Sequence, residues 1–373
     1  MQVTIERATL LKALHHTQSV VERRNTIPIL SNVLMRAQGG SLALTATDLD
    51  IEIAETVPAE IAEEGGVTAS AVTLYDIVKR LPDGGQISLN KSSGSSRLML
   101  KSGRSEFQLS ILPDDDFPTL SDEAAGATFT ISADALGRLL DRTRFAMSQE
   151  ETRYYLNGVY LHALTEGEGA PSLRAVATDG HRLARLDSPL PPGAEAIPGV
   201  IIPRKAVLEL RRLLDDADGD VAVTVTPAKI RFAFGDIVLV SKLIDGTFPD
   251  YQRVIPSGND RVMKVDNDAF RRAVDRVSTV SADKTRSVKL SLTEDQLTLL
   301  VNNPETGSAT DELSVDFKST DLEVGFNARY LLDIADQISG ETAVFHFADA
   351  ASPTLVTDEE DEGALYVLMP LRV

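Results

Sequence analysis

Residues 174–186, RAVATDGHRLARL, decide the fold, because their pattern recurs elsewhere in the chain. Apolar and polar residues alternate from Leu173 to Ala177, which predicts a half-buried strand. The four residues Thr178-Asp179-Gly180-His181 predict a tight turn, and residues 182–186 predict a second strand. The stretch therefore predicts a β-hairpin with a polar tip.

Two further stretches show the same pattern. Residues 41–54, SLALTATDLDIEIA, place Thr47 and Asp48 at the tip of a hairpin. Residues 296–313, QLTLLVNNPETGSATDEL, place Asn302 and Asn303 at the tip of another. Three similar hairpins in one chain predict an internal repeat.

Length and composition predict several domains in a cytoplasmic protein. A chain of 373 residues exceeds the roughly 250 to 300 residues that one hydrophobic core supports. Hydrophobic residues make up 43% of the chain, but no stretch has the roughly 20 apolar residues of a membrane helix, and the first residues lack a signal-peptide pattern. Without cysteine there is no disulfide, no thiolate nucleophile and no cysteine metal site. We therefore expect a cytoplasmic location.

Each repeat is predicted to contain two strand–helix elements. The first strands lie at residues 3–5, 129–131 and 263–265. Apolar residues follow seven and eleven positions after each strand begins, on one helical face: Leu10, Leu14, Leu136, Leu140, Phe270 and Val274. A second strand and helix follow within residues 67–81, 200–213 and 322–338. The helices are therefore predicted at residues 8–21, 71–81, 132–147, 203–214, 266–280 and 327–338.

The repeat predicts three domains, at residues 1–121, 128–256 and 260–373. The same five-residue spacing separates Leu112 from Phe117 and Leu243 from Phe248, and connectors rich in Pro, Gly and acidic residues follow both pairs. Each domain then has two helices against antiparallel sheets, which is the α+β class. A doubled element repeated three times predicts approximate rotational symmetry, with twelve helices in two chains.

The charge is unevenly distributed. A formal net charge of −19 argues against a nucleic-acid partner if the charge is spread evenly. The predicted helices, however, hold fourteen Lys or Arg and only nine Asp or Glu, so the helices are basic and the remainder is strongly acidic. Two interpretations remain open at this point: solvated helix faces of mixed charge, or helices that line a surface facing an anion.

The whole chain resembles the β subunit of bacterial DNA polymerase III, the sliding-clamp family. The most specific matches are TIPIL at 26–30, RYYLNG at 153–158, ATDGHRLA at 177–184, FPDYQRVIP at 248–256 and MPLRV at 369–373. The resemblance implies three repeated DNA-clamp domains, which two chains assemble into a head-to-tail homodimeric ring with helices inside. Such a ring encircles duplex DNA, slides along it through sequence-independent contacts and holds its clients by short peptides. The implied clients are the polymerase III α subunit, the clamp loader and other clamp-binding proteins, and no cofactor is implied.

The resemblance also implies three sets of site residues. The pocket for client peptides is formed by Leu156, Thr178, Gly180, His181, Arg182, Leu183, Pro249, Arg253, Val254, Val367, Met369, Pro370, Leu371 and Arg372. The residues that face DNA are Arg24 and Tyr154. Arg204 and Lys205 are predicted to face DNA as well, because they stand at a helix start, where the dipole disfavours positive charge; a solvated first turn is the alternative. The subunit interface contains Phe107 and Val280. The alternative interpretation of Tyr154 and Tyr155 is a pair of strand residues with one ring in the core, that of Tyr155.

Two features of the sequence qualify these assignments. Thr285 stands where the family often has an aromatic residue, and residues 351–353 also differ, so the shape of the pocket at that edge is expected to differ. Residues 179–182 could instead form a catalytic or metal cluster, but the five His form no H-x-x-x-H pair, and neither a P-loop nor a G-x-S-x-G elbow is present. We therefore predict no catalytic residue and no metal site. A monomeric peptide-binding scaffold and a carboxylate-based hydrolase remain as alternatives.

Overall fold

The computed structural model describes residues 1–22, 26–120, 126–165, 170–281 and 287–372. These ranges contain the helices α1 (Arg7–Gln18), α2 (Ala71–Arg80), α3 (Ala133–Arg144), α4 (Arg204–Leu214), α5 (Asn267–Ser278) and α6 (Ala328–Ala335). All six helices that the sequence predicts are confirmed, although most end a few residues earlier. Capping side chains set several starts: Asp266, for example, accepts a hydrogen bond from the backbone N–H of Ala269 at 2.7 Å.

Short strands connect these helices. The first third of the chain contains β1 (Gln2–Glu6), β2 (Asn32–Gln38), β3 (Ser41–Thr47), β4 (Ile51–Pro58), β5 (Glu60–Glu63), β6 (Gly65–Ser70), β7 (Gln86–Asn90), β8 (Arg97–Ser102) and β9 (Ser105–Leu112). The middle third contains β10 (Ala127–Ser132), β11 (Gly158–Leu164), β12 (Ser172–Thr178), β13 (Arg182–Pro189), β14 (Val200–Pro203), β15 (Asp220–Val225), β16 (Lys229–Phe234) and β17 (Ile237–Lys242). The last third contains β18 (Arg261–Asp266), β19 (Ser287–Thr293), β20 (Gln296–Asn303), β21 (Gly307–Ser314), β22 (Asp316–Phe317), β23 (Leu322–Asn327), β24 (Thr342–Phe347), β25 (Thr354–Asp358) and β26 (Asp361–Leu368).

The chain divides into two compact units, and the first comprises Met1–Asp134, Pro191–Pro198 and Lys205–Leu243. Its strands form one sheet in the order β10-β15-β16-β17-β4-β3-β2-β6-β9-β8-β7-β1-β5. Helices α1 and α2 pack together against this sheet, and Leu10 and Leu14 of α1 are fully buried in the core, as the sequence predicts.

The second unit comprises Ala135–Leu190, Gly199–Arg204 and Ile244–Val373. It contains a nine-stranded sheet, β14-β11-β12-β13-β26-β25-β24-β18-β22, and a four-stranded sheet, β21-β20-β19-β23. Helices α5 and α6 pack together, and Phe270 of α5 contacts Phe345 with ring centroids 5.1 Å apart. Every strand pairing in the described parts of both units is antiparallel, which confirms the α+β class.

The three predicted hairpins are β3–β4, β12–β13 and β20–β21. We call residues 47–52 the first tip and residues 178–183 the second tip. The third turn differs in position from the prediction: Asn302 and Asn303 are still paired in β20, and residues 304–306 form the turn. The reason is that Asn303 starts the turn instead of forming its centre.

We call the turn that follows Asn303 the third tip, and all three tips form the same kind of turn hydrogen bonds. The Oδ1 atom of Asp48 accepts hydrogen bonds from the backbone N–H groups two and three residues later, and so do those of Asp179 and Asn303. Asp and Asn side chains favour such turns because they replace a backbone acceptor. The internal repeat therefore extends from the strand order to single hydrogen bonds.

Candidate functional sites

One hydrophobic cluster of the second unit gathers three of the residues predicted to form the peptide pocket. Leu156, Leu183 and Val367 belong to it, and each is at most 5% exposed. Leu183 and Val367 are direct neighbours across β13 and β26, whereas Leu156 ends the 3-10 helix Glu151–Leu156. The other buried members are Val176, Ile201, Phe248, Tyr251 and Leu365. We call these eight residues the pocket cluster.

Two exposed apolar side chains lie in segments that continue from the pocket cluster. Val254 ends the 3-10 helix Tyr251–Val254 and is 48% exposed, and Met369 directly follows β26 and is 40% exposed. The backbone N–H of Met369 donates to the carbonyl of His181 at 2.9 Å, and that of Leu371 donates to the carbonyl of Gly325 at 2.8 Å. These two hydrogen bonds hold the backbone that follows β26 in place.

The remaining predicted pocket residues lie at the surface of the same unit. Gly180 sits at the second tip with φ +88°, a left-handed conformation that glycine adopts without strain. The residues that are largely exposed are Gly180, His181, Pro249, Arg253 and Arg372, and those that are half-buried are Thr178, Pro370 and Leu371. These placements leave the pocket assignment a prediction.

The side chain of Arg182 points into the unit, which the sequence does not predict. Its guanidinium donates to Asp179 at 3.1 Å, to Asp333 at 2.5 Å and to the carbonyl of Phe145 at 2.7 Å. It also lies 4.4 Å from the ring centroid of Tyr330, and only 9% of the residue is exposed. Arg182 therefore braces the second tip from inside. Burial raises the pKa of the Tyr330 hydroxyl.

Sequence reasoning missed Phe145, Tyr330 and Asp333 as partners of the second tip. Tyr330 also faces His181, with ring centroids 6.5 Å apart and planes 24° apart. Tyr330 and Asp333 are three residues apart on α6 and therefore share one helical face. The spacing in the sequence indicates that the two residues share a helical face, but it does not identify their partner, which is a hairpin 151 residues away along the chain.

The residues predicted to face DNA differ in their exposure and in whether other groups of the protein already bind their side chains. Tyr154 is 54% exposed and Tyr155 is half-buried against the pocket cluster. Both lie in a 3-10 helix, so the alternative interpretation as strand residues is wrong. Lys205, in the first turn of α4, donates to the carbonyl of Val20 at 3.0 Å and forms an ion pair with Asp48. Arg24 lies outside the described residues.

Most basic residues of the helices have carboxylate partners in their own unit. Arg138 lies 2.5 Å from Asp361, and Arg276 lies 2.6 Å from Asp311. The basic helix residues with an Asp or Glu within 4 Å are Lys12, Arg80, Arg138, Arg144, Lys205, Arg211, Arg212, Arg271, Arg276 and Arg329. The positive charge on the helices is therefore largely neutralised locally.

The two predicted interface residues lie beside strand edges. Phe107 is half-buried on β9, which pairs with β8 along its length but with β6 only at Ile111 and Leu112. Its side chain lines a groove of about 570 Å³ beside α2. Val280 follows α5, and its carbonyl accepts a hydrogen bond from Thr306 in the turn before β21. In the described part of the four-stranded sheet, β21 is an outer strand.

Only one of the two segments that depart from the family pattern lies within the described residues. Thr285 is outside, whereas Ala351 and Ser352 donate backbone hydrogen bonds to Asp349. None of the helices in the described ranges combines the length and apolar character needed to cross a membrane. Across those ranges, no three His, Asp or Glu residues are grouped so that they could hold a metal ion.

Comparison with known proteins identifies the family. Residues 1–121, 130–250 and 252–372 match the N-terminal, central and C-terminal domains of the DNA polymerase III beta subunit. The chain is 56% identical to the beta sliding clamp of Caulobacter vibrioides and 38% identical to that of Escherichia coli, with 100% of each chain covered. These matches do not favour the scaffold or the hydrolase alternative.

Solved structures give the same result. A crystal structure of the Caulobacter crescentus clamp, with polyethylene glycol at a region described as its β-motif tethering region, has a TM-score of 0.98 and 56% identity, and covers 100% of this chain and 99% of that one. The Bartonella birtlesii clamp bound to griselimycin has a TM-score of 0.97 and 52% identity, with 100% of both chains covered. The chain therefore belongs to the family of DNA polymerase III β subunits, the β sliding clamps, which are processivity factors of DNA polymerase.

Proposed function

We propose that two copies of this chain close into a ring around duplex DNA, and that the ring tethers the replicative polymerase through the pocket cluster and its exposed rim. The observation that carries the tethering is the pair of exposed apolar residues, Val254 and Met369, in segments that continue from a buried apolar cluster. Exposed apolar surface beside a packed cluster suits a short peptide with aliphatic and aromatic anchors. The polymerase III α subunit, the clamp loader and other clamp-binding proteins are the proposed clients, and we assign the chain no catalytic step.

Two strand edges that could pair with each other support the proposal of a ring. Strand β9 carries Phe107 beside a groove, and β21 is an outer strand next to the turn that holds Val280. Antiparallel pairing of two such edges removes exposed backbone donors and acceptors from water. A head-to-tail contact of this kind joins different surfaces, and it closes if the rotation suits a dimer. We also propose the domain boundaries 1–121, 128–256 and 260–373.

Contact with DNA is proposed to be weak and independent of sequence. Arg24, Tyr154, Arg204 and Lys205 are the proposed DNA-facing residues. Because most basic helix residues already have carboxylate partners, few cations remain to replace counterions on the phosphates, so the salt dependence should be shallow. Retention on DNA then depends on the closed ring. Such contacts allow sliding, since phosphate contacts carry no sequence information and no position on the DNA is preferred.

Deletion of residues 369–373 tests the proposed function. We expect the truncated protein to remain a dimer in sedimentation, because β26 is intact, but to bind a fluorescein-labelled C-terminal peptide of the polymerase III α subunit about thirty- to a thousandfold more weakly, which corresponds to roughly 2 to 4 kcal/mol. Fluorescence polarisation measures the affinity. Equal affinity of the truncated and intact proteins would place the pocket elsewhere, and a monomeric intact protein would exclude the ring.

A further inference from the structure

Polar side chains occupy the same sheet face as the pocket cluster, farther along the strands. Leu183 belongs to the cluster, and Arg185 and Asp187 follow it at two-residue intervals on β13, so all three side chains are on one face. Asp187 is the cross-strand neighbour of Arg174 on β12, and Arg174 is in turn the neighbour of His162 on β11. The pocket cluster and this polar group are therefore two ends of one surface.

A directed chain of hydrogen bonds joins the polar group to the pocket cluster. Arg174 donates to both carboxylate oxygens of Asp187, at 2.5 and 2.7 Å, and its Nη1 donates to the hydroxyl of Tyr251 at 3.1 Å. The hydroxyl of Tyr251 lies 3.0 Å from Nε2 of His162. Because a guanidinium can only donate, the hydroxyl accepts from Arg174. Nδ1 of His162 lies 3.4 Å from the carbonyl of Ala163, which can only accept, so the neutral imidazole carries its proton at Nδ1 and the Tyr251 hydroxyl donates to Nε2. His162 accepts at Nε2 only in its neutral form.

Tyr251 links this chain to the pocket. It is a member of the pocket cluster and the first residue of the 3-10 helix that ends at Val254. Three residues earlier, Phe248 stacks on Tyr160 with centroids 4.8 Å apart and planes 6° apart, and Tyr160 stacks on His162 at 4.7 Å. The segment that carries the exposed Val254 is thus fixed to the sheet at two adjacent aromatic rings.

The surroundings of His162 disfavour its protonated form. It faces Tyr160 on its own strand, Arg174 on β12, Asp187 on β13 and Tyr251 on the covering segment. Asp187 is already shared, since Arg185 approaches it at 3.7 Å. Burial lowers the pKa of the His162 imidazole; the hydrogen bond to the carbonyl of Ala163 opposes this shift, the charge of Arg174 adds to it, and Asp187 opposes it more weakly. A protonated His162 would add a third cation beside one carboxylate and could no longer accept the proton of Tyr251.

We propose that His162, Arg174 and Asp187 are positioning residues of the peptide pocket, which act through Tyr251 and couple peptide affinity to the protonation of His162. This inference rests on the proposed function. At neutral pH the hydrogen-bond chain is complete and holds Tyr251 and the helix that ends at Val254. At low pH the Tyr251 hydroxyl can no longer donate to His162 and faces two cationic donors, Arg174 and protonated His162, so the segment is held less firmly to the sheet.

Peptide titration as a function of pH tests the proposal. The full-length protein is titrated with the labelled polymerase peptide by fluorescence polarisation, from about pH 7.5 to about pH 5. We expect affinity to fall about three- to tenfold toward low pH, which is the weight of one hydrogen bond. Tyr251→Phe removes the hydroxyl but keeps the ring, so its affinity at high pH is expected to fall by the same factor and to depend little on pH. His162→Gln keeps an acceptor that does not titrate, so affinity is expected to stay high and flat.

Two further histidines serve as controls for the origin of the pH dependence. His346 is half-buried on β24 of the same unit and burial also lowers its pKa, but its ring lies beside Thr357 and has no link to Tyr251. His346→Gln is expected to keep both the affinity and the pH step. His181 lies at the second tip, and His181→Asn is expected to keep the pH step whatever its affinity. A step that disappears in His181→Asn, or that survives in both His162→Gln and Tyr251→Phe, would overturn the proposal.

The protein lacking residues 369–373 separates the two levels of the argument. If it binds as tightly as the intact protein, the pocket itself is misplaced. If it loses binding while Tyr251→Phe and His162→Gln titrate like the intact protein, the pocket is supported and only the positioning role is wrong.

Discussion

The first and second tips share the same turn geometry and backbone hydrogen bonds but differ in the side chains that they carry. Both begin with Thr-Asp, and both carry the same turn hydrogen bonds. Each tip also forms the same backbone hydrogen bond with a neighbouring segment. The N–H of Lys242 donates to the carbonyl of Asp50 at the first tip at 2.8 Å, and the N–H of Met369 donates to the carbonyl of His181 at the second tip at 2.9 Å. The two positions are therefore equivalent in the repeat, and any difference in function must come from side chains.

Among the described residues, three side-chain differences between the tips leave no apolar pocket at the first tip. The second tip has Gly180, Leu183 and Met369 where the first has Leu49, Glu52 and Lys242. Leu49 packs on a small cluster formed by Ile29, Leu30, Leu34 and Phe117, even though its φ of +80° is unfavourable for a branched side chain. Glu52 is 9% exposed and accepts from the backbone N–H of Leu120, and Lys242 pairs with Asp50 at 3.0 Å.

The comparison teaches that the repeat fixes the scaffold and that a few side chains decide where a pocket can exist. At the first tip the chain fills its own apolar cluster with Leu49 and surrounds it with charges. At the second tip Gly180 has no side chain, the end of the Arg153 side chain lies beside it, and the equivalent rim residue, Met369, is apolar and exposed. The predictions below exchange these features between the two tips.

Leu183→Glu is expected to have the largest effect. It places a carboxylate in the pocket cluster, where Glu52 of the first tip has a backbone donor but Leu183 has apolar neighbours. An uncompensated buried charge costs roughly 3 to 5 kcal/mol, so both the free energy of unfolding and peptide affinity should fall sharply. Urea unfolding and peptide titration measure the two losses. Leu183→Met is the control, because a swap of similar volume costs less than about 1.5 kcal/mol. A Glu variant as stable as the Met variant would contradict the burial of this position.

Gly180→Leu is expected to have an intermediate effect on stability and a clear effect on binding. The change forces a leucine into φ +88°, which costs roughly 1 to 2 kcal/mol. Its Cβ would lie 2.7 Å from Nη1 of Arg153, a flexible side-chain end that can move away. The new side chain should then cover the pocket cluster as Leu49 covers its own cluster.

Gly180→Ala separates the two causes. Alanine has the same backbone strain but no side chain long enough to fill the pocket. We expect both variants to lose similar stability in thermal unfolding, whereas only the leucine variant loses at least about tenfold in peptide affinity. Equal binding by the two variants would show that the second tip does not border the peptide.

Local patterns were sufficient to predict the elements but not their inward contacts. The spacing of Leu136 and Leu140 predicted a helix face that is buried, and Thr178-Asp179 predicted the turn. Tyr154 and Tyr155 have high strand propensity, yet they form a 3-10 helix in which only Tyr155 reaches the pocket cluster. Tertiary packing decided this case, and packing is not visible in a six-residue window.

The predicted pocket shows the same limit. Leu156, Leu183 and Val367 were expected to lie together, and they do share one cluster. Arg182 was expected to line the pocket, but Asp333 and Phe145 hold its guanidinium inside the unit. A charged residue in a turn is normally exposed, so only the distant partners could have indicated otherwise.

Asn303→Asp is expected to have the smallest effect, and it tests whether the third tip follows the same turn chemistry. Asn303 is 7% exposed and its Oδ1 accepts from the backbone N–H groups of Glu305 and Thr306 at 2.9 and 3.3 Å. Aspartate performs this role at the other two tips, and two backbone donors stabilise a carboxylate. We therefore expect the free energy of unfolding at neutral pH to change by less than about 1 kcal/mol. Asn303→Ala, which removes the acceptor and leaves two backbone donors without it, should lose about 1 to 3 kcal/mol. Urea unfolding of both variants measures the difference. If the aspartate variant is as unstable as the alanine variant, the third tip relies on the amide of Asn303 instead of the shared acceptor, and the repeat does not extend to its turn chemistry.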